Sequence, residues 1–229
     1  MTGKPRKLED VDVSDFPEKN LIVVMSTDKG LCGGVNTILA RMTRQMASKL
    51  EAAGKQYQMF IFGEKGRAAL RRLYGKTFLG TATERHMPYT FEMSSSLAQD
   101  VLEGEFDAVH LLYNEFKSAI AYTPSIKTIT PMVDPTATFL YPFEVEPEND
   151  PETLHNLFEY TLAAQIHHSL MENAASEQSS RMTAMENASK NAGEMIAKLN
   201  LQYNRARQSR ITTELIEIIS GASALETKK

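Results

Sequence analysis

The stretch DPETLHNLFEYTLAAQIHHSL, residues 150–170, marks where one kind of structure gives way to another. Asp150 offers a capping oxygen, Pro151 a preset φ, and Glu152 a carboxylate facing the positive end of a helix dipole. Leu154, Phe158, Leu162, Ile166 and Leu170 then recur on one stripe, and no proline follows. The steps of three and four continue through Met182, Met185, Ala188, Ala192, Met195, Leu199, Tyr203 and Ala206. They slip phase and resume at Ile211, Leu215, Ile218 and Ala222. The pattern predicts a coiled-coil helix over residues 151–226, of ~75 residues and about 110 Å. Such a helix outruns any globular domain and takes most of its stability from packing its stripe, so it is expected to need a partner. Its middle is built from small residues, Ala174, Ala175, Ser176, Ser179, Ser180, Ala184, Ala188, Ser189, Ala192 and Gly193, which would let a second helix approach closely. A solvated helix face rich in Ala and Ser is the plainer reading of the same residues.

Upstream the period changes. Leu21 to Ser26, Tyr57 to Phe62 and Ala108 to Tyr113 read as buried strands, with Ile120 to Thr130 a fourth. Val35 to Ala53 is amphipathic and closed by Gly54, and Gly66 to Tyr74 and Ser96 to Leu102 also read as helices. Strands alternating with helices imply an α/β, Rossmann-like domain with a mainly parallel sheet. It is placed at residues 20–150, after an N-terminal tail of residues 1–19, with the boundary near Pro147 to Pro151.

Composition narrows the function. The chain has 229 residues, 42% hydrophobic and 24% charged, ordinary for a globular protein. A net charge of -4 argues against a general nucleic-acid binder, which needs a surplus of Lys and Arg. One cysteine, Cys32, allows neither an internal disulfide nor a multi-thiolate zinc site. The longest unbroken aliphatic run, Leu21 to Met25, is far short of the roughly 20 residues a bilayer span requires. The opening residues fit neither a signal peptide nor an Arg-rich transit peptide.

Candidate chemistry is sparse. The turn STDKGLCGG at 26–34 joins a strand to a helix, where α/β proteins often bind phosphate, but its glycines at 30, 33 and 34 match neither the dinucleotide nor the Walker pattern. Gly75, Lys76 and Thr77 resemble the end of a Walker motif that lacks its first glycine and follows a helix. His167 and His168 are adjacent on a helix and point about 100° apart, so they read as flanks of the shaft. His86, His110 and His155 have no ligand partners at metal spacing. Cys32 could be activated by a helix amino terminus and Lys29, yet no His and carboxylate pair is recognisable, and an accessible small residue in a turn is the simpler role. Arg205, Arg207 and Arg210 precede Glu214 and Glu217, which by composition alone is an exposed face with pairs such as Arg210 to Glu214.

The closing segment ITTELIEIISGASA, residues 211–224, resembles the signature of ATP synthase γ subunits, carried here by Ile211, Thr212, Glu214, Glu217, Gly221 and Ala222. STDKGLCGGVN at 26–36 resembles the family's first strand-turn-helix. SEQSSRMTAMENASKNAGEMI at 176–196 resembles its long carboxyl-terminal helix, closest to the mitochondrial branch. The resemblance covers about residues 20–225.

It implies a non-catalytic central-stalk rotor subunit that holds no cofactor, couples proton-driven rotation to ATP synthesis at a hexamer of α and β subunits, and runs in reverse on ATP hydrolysis. Implied partners are the α and β subunits, the δ and ε stalk subunits and the membrane c-ring. The implied location is the matrix side of the mitochondrial inner membrane, or the inner face of a bacterial cytoplasmic membrane. The family's contacts with the surrounding crown fall on Arg207, Gln208 and Thr212, and a contact with a β lever loop falls on Arg181. The turn Asp28, Lys29, Gly30, Leu31, Cys32 and Gly33 corresponds to one close to those loops. The family begins with a long amino-terminal helix, whereas about 20 residues, including Pro5 and Pro17, precede the first strand here. A truncated chain, or a helix carried on another polypeptide, is the expectation. Two other classes remain open on the residues alone: a Rossmann-like nucleotide-binding enzyme, and a coiled-coil scaffold of an unrelated assembly.

Overall fold

The run KNLIVVM forms strand β1, Lys19–Met25, whose side chains alternate between two covered faces. Leu21, Val23 and Met25 enter one core, and Ile22 and Val24 the other. β1 pairs in parallel with β2, Gln56–Phe62, on one side and with β4, Ala108–Ser118, on the other. A central strand buried on both faces reads as an unbroken apolar run, which is why these three were legible. The computed structural model of the chain describes residues 4–85, 87–131 and 151–226. The boundary expected at Pro147 to Pro151, the Asp150 cap and His86 lie at least partly outside the described residues.

Two further strands complete a five-stranded sheet of order β3-β2-β1-β4-β5. β5, Ala121–Ile129, is the expected fourth strand. It runs antiparallel to β4 as the return arm of a hairpin, and Pro124 is tolerated because β5 is an edge. β3, Phe78–Ala82, was not expected from the sequence. It is a five-residue edge strand with a glycine and a threonine and only one buried residue, so it carries no apolar run.

Helices cover both faces. α1, Val35–Ala52, and α2, Glu64–Tyr74, pack on the side of Ile22 and Val24, with Leu39, Met46, Leu50 and Leu70 fully buried. α3, Phe91–Leu102, covers the other side with Leu97, Ala98 and Val101. It starts five residues before the expected Ser96, because Thr90 caps it by accepting from Met93 N at 3.3 Å. The segment before β1 is packed, not free. Arg6 bridges to Ile126 of β5, and Leu8, Val11 and Val13 are buried beside α1. Lys49 and Lys55 donate to carbonyls along that segment, among them Leu8 O at 3.1 Å and Val13 O at 2.8 Å. Its few apolar residues show no period, so sequence alone gave it no place.

The last element is one continuous helix, α4, Pro151–Glu226, of 76 residues. The chain divides into two compact units, Met1–Thr183 and Ala184–Lys229, so α4 contributes to both. In the first unit Phe158, Leu162, Ile166 and Leu170 belong to the core shared by α3 and the sheet. This corrects the reading of these four as a coiled-coil seam; their partner is the α/β domain. Burying four such side chains contributes roughly 6–12 kcal/mol as an upper estimate. Along the second unit the described residues are exposed from Met185 onward, including Met195, Leu199, Tyr203, Ile211, Leu215 and Ile218.

Candidate functional site

The turn after β1 is held from three sides. Asp28 caps the start of α2, its carboxylate accepting from Glu64 N at 2.8 Å and from Arg85 N at 3.0 Å, while Thr27 O accepts from Lys65 N at 3.0 Å. Asn36 on α1 accepts from Thr27 N at 3.1 Å and donates to Cys32 Sγ at 3.3 Å. Gly63, at φ +91°, brings the turn before α2 so close that a Cβ there would lie 2.7 Å from Ser26 and Thr27 main-chain atoms. Asp28 therefore acts as a structural cap.

Cys32 is 2% exposed, which corrects the expectation of an accessible thiol. The turn folds inward at this position under Asn36 and α4, so the sulfur becomes a small core group. Lys29 and Gly33 are exposed, and Leu31 stands outward at 75% exposure with a left-handed φ of 61°.

The third side is α4. Ser180 Oγ donates to Cys32 O at 2.7 Å, and Arg181 donates to Gly30 O at 3.5 Å. Asn173 Nδ2 donates to Ser26 O at 3.4 Å, its Oδ1 accepts from Asn114 Nδ2 at 2.9 Å, and Ser176 Oγ donates to Asn114 O at 3.0 Å. Part of the small-residue stretch thus admits a turn and strand ends, where the sequence had suggested a helix. The guanidinium of Arg181 also pairs with the buried carboxylate of Glu177 and donates to Gln178 at 2.8 Å. Burial, with the negative charges of Glu177 and Asp28, pushes the Tyr89 hydroxyl up to about 12.

The remaining candidates fall elsewhere. Arg207, Gln208 and Thr212 lie exposed on α4 in the second unit, as do Ile211, Glu214, Glu217, Gly221 and Ala222. Arg210 and Glu214 make the expected i,i+4 pair at 2.8 Å. Gly75, Lys76 and Thr77 form a short 3-10 turn leading into β3. Lys76 and Thr77 line an open hollow with Lys19 and Gln56 at the amino ends of the strands, opposite to the edge where such sheets take ligands. His167 Nδ1 lies 3.0 Å from Ser94 Oγ of α3, a packing contact beside the aromatic ring of Phe91. Among the described residues no group of three or more His, Cys, Asp or Glu is placed to hold a metal ion, and no helix is long and apolar enough to cross a membrane.

These features define a class: a doubly wound domain whose ligand edge is closed by its own long helix, with exposed apolar residues and arginines on the later part of that helix. A family model described as ATP synthase matches residues 3–225. The ATP synthase gamma chain of Zymomonas mobilis is 42% identical, over 97% of this chain and 80% of that one. The mitochondrial gamma subunit of Drosophila melanogaster is 45% identical, over 90% of this chain and 69% of that one. Among solved structures, a chain from the central stalk and c-ring of Tetrahymena thermophila mitochondrial ATP synthase superposes with a TM-score of 0.63 at 30% identity, covering 80% of this chain and 81% of that one. A chain of the Euglena gracilis mitochondrial enzyme shares the fold, with a TM-score of 0.79 over 99% of this chain and 78% of that one at 20% identity. The chain belongs to the gamma family of ATP synthase, whose members are rotor subunits and not catalysts.

Proposed function

We infer that the chain is the central-stalk shaft of a proton-translocating ATP synthase, passing torque between the membrane c-ring and the catalytic hexamer of α and β subunits. The observation that carries this is the set of exposed apolar residues on α4 from Met185 to Ile219, more than a helix holds in water without a partner. In this reading, proton flow turns the shaft, and its changing face alters the affinity of each catalytic site in turn. Hydrolysis turns it backward.

Arg207, Gln208 and Thr212 are the contacts with the crown. Arg207 brings fixed donors suited to carboxylates, and the other two can donate and accept. Such contacts must break at every step, which favours modest hydrogen bonds worth about 1 kcal/mol each, or up to 3 with a charge. Asp28 to Gly33 presents Leu31 and Lys29 to the β lever loops, and Arg181 shares that neighbourhood. The δ and ε stalk subunits complete the foot. The location is the matrix side of the mitochondrial inner membrane, or its bacterial counterpart, with the chain itself peripheral.

The test is affinity isolation of the native complex through a tag on this chain, followed by intact mass measurement. Recovery of α and β subunits in threefold excess over it is expected; recovery of the chain alone, or with an unrelated assembly, contradicts the assignment.

A further inference from the structure

In doubly wound sheets, ligands bind at the carboxyl edge where the strand order reverses. Here the reversal falls between β1 and β4, and α4 occupies it. Asn173 spans the two strands, accepting from Asn114 of β4 at 2.9 Å and donating to Ser26 O at the end of β1 at 3.4 Å. One turn on, Ser176 donates to Asn114 O at 3.0 Å, and another turn on, Ser180 donates to Cys32 O at 2.7 Å. Ser179 adds a bond to Ala119 O at the tip of the β4–β5 hairpin. Asn173, Ser176 and Ser180 are three and four residues apart, so they share one helix face.

Each of these three donates to a main-chain carbonyl. Carbonyls of a sheet edge and a clamped turn hold fixed directions, so the bonds define an angle and a register for α4. The apolar contacts of Phe158, Leu162, Ile166 and Leu170 cannot do so alone, because hydrophobic contact is non-directional. The motif has a matching part: Gly33 sits at φ +59°, and a Cβ there would lie 2.8 Å from Ser180 Oγ. Leu31, strained and outward, stands between Gly30 and Cys32, whose carbonyls accept from Arg181 and Ser180.

We propose that Asn173, Ser176 and Ser180 are positioning residues, a key by which α4 grips the carboxyl edge of the sheet and fixes the turn 27–34, so that load on the turn passes directly into α4. The load rests on the rotor reading above; the grip does not.

The experiment has two arms. In the first, amide hydrogen exchange is followed on the full chain for Ser176→Ala/Ser180→Ala against the parent. Loss of the Ser180 bond should speed exchange across residues 27–34 about fivefold, and loss of the Ser176 bond should speed it about as much at the Asn114 end of β4, with β2 and α3 unchanged. Ser180→Thr, which keeps the donor, should exchange near the parent rate, whereas Ser180→Ala alone should be about fivefold faster. Unchanged exchange in the turn, or an equal rise throughout the sheet, would overturn the key. In the second arm, the double variant is placed in the complete ATP synthase. Hydrolysis without a proton gradient should match the parent, while pumping against a gradient should fall at least about twofold. Equal pumping with a loosened turn would overturn the load path. If the parent chain failed to enter an ATP synthase, the rotor reading would fail and the exchange result would still decide the key.

Discussion

His110 gives the domain a calculable acid sensitivity. The ring is fully buried on β4, stacked on Phe16 at a centroid distance of 4.2 Å, and both nitrogens are committed. Asn20 uses its Nδ2 on the carbonyls of Pro17, Glu18 and Gln56, which leaves its Oδ1 facing His110 Nε2 at 3.0 Å. Nε2 must then carry the proton, and Nδ1 accepts from Thr128 Oγ1 at 3.0 Å. Among the described residues no carboxylate compensates for a charge, and burial pushes this histidine down to about 3 from an ordinary 6.5. A depressed folded value means that the unfolded chain binds the extra proton, so the contribution is fully present above pH 6.5 and is lost as pH falls toward about 3. Between pH 7 and pH 4.5 the loss comes to roughly 2–3 kcal/mol. His110→Gln keeps a donor and an acceptor but does not titrate. Urea unfolding followed by tyrosine fluorescence should show the parent losing roughly 2–3 kcal/mol more than the variant over that interval. Parallel stability curves for the two chains would refute the reasoning.

Other expectations follow from particular contacts. Cys32, buried beneath Asn36 and α4, should react with a thiol reagent at least about 100-fold more slowly in the folded chain than in denaturant; similar rates would contradict its burial. Gly63→Ala should cost about 3 kcal/mol or more, combining a φ of +91° with a Cβ placed 2.7 Å from Ser26 and Thr27, and an unshifted denaturation midpoint would show that the turn relaxes freely. Replacing Arg207, Gln208 and Thr212 together by alanine should leave circular dichroism and assembly intact while lowering coupled turnover, since all three are exposed. Unchanged synthesis and hydrolysis rates would return them to an ordinary solvated face.

The strands β1, β2 and β4 were legible as unbroken apolar runs, and the span of α4 as a proline-free stretch stepping by threes and fours. The short edge strand β3 was not: Gly80 and Thr81 break any apolar run, and the strand is defined by its pairing with β2. The segment Arg6 to Phe16 was read as a tail because its buried residues, Leu8, Val11 and Val13, are isolated in sequence and meet α1 only in the fold. The small-residue stretch of α4 divides between the two readings: around Ser176 and Ser180 it permits close approach, by a turn instead of a helix, while Ala188, Ser189, Ala192 and Gly193 are exposed as the plainer reading had it. Which one arrives is decided by where β1 and β4 end. The same limit applies to Cys32, whose neighbours Asn36 and Ser180 are four and 148 positions away, the second beyond any local pattern. On the second unit the residues alone offered only the Arg210 to Glu214 pair, so the role given to Arg207, Gln208 and Thr212 came from the resemblance alone.

The central claim is that this chain turns inside a ring of α and β subunits. A cysteine introduced at exposed Lys117 offers a clean attachment point, since Cys32 is buried. With the crown fixed to a surface by its β subunits and a bead on residue 117, added ATP should drive sustained rotation in one direction, slowing with bead drag. A bead that stays still, or merely fluctuates, while the same complexes hydrolyse ATP would contradict the account.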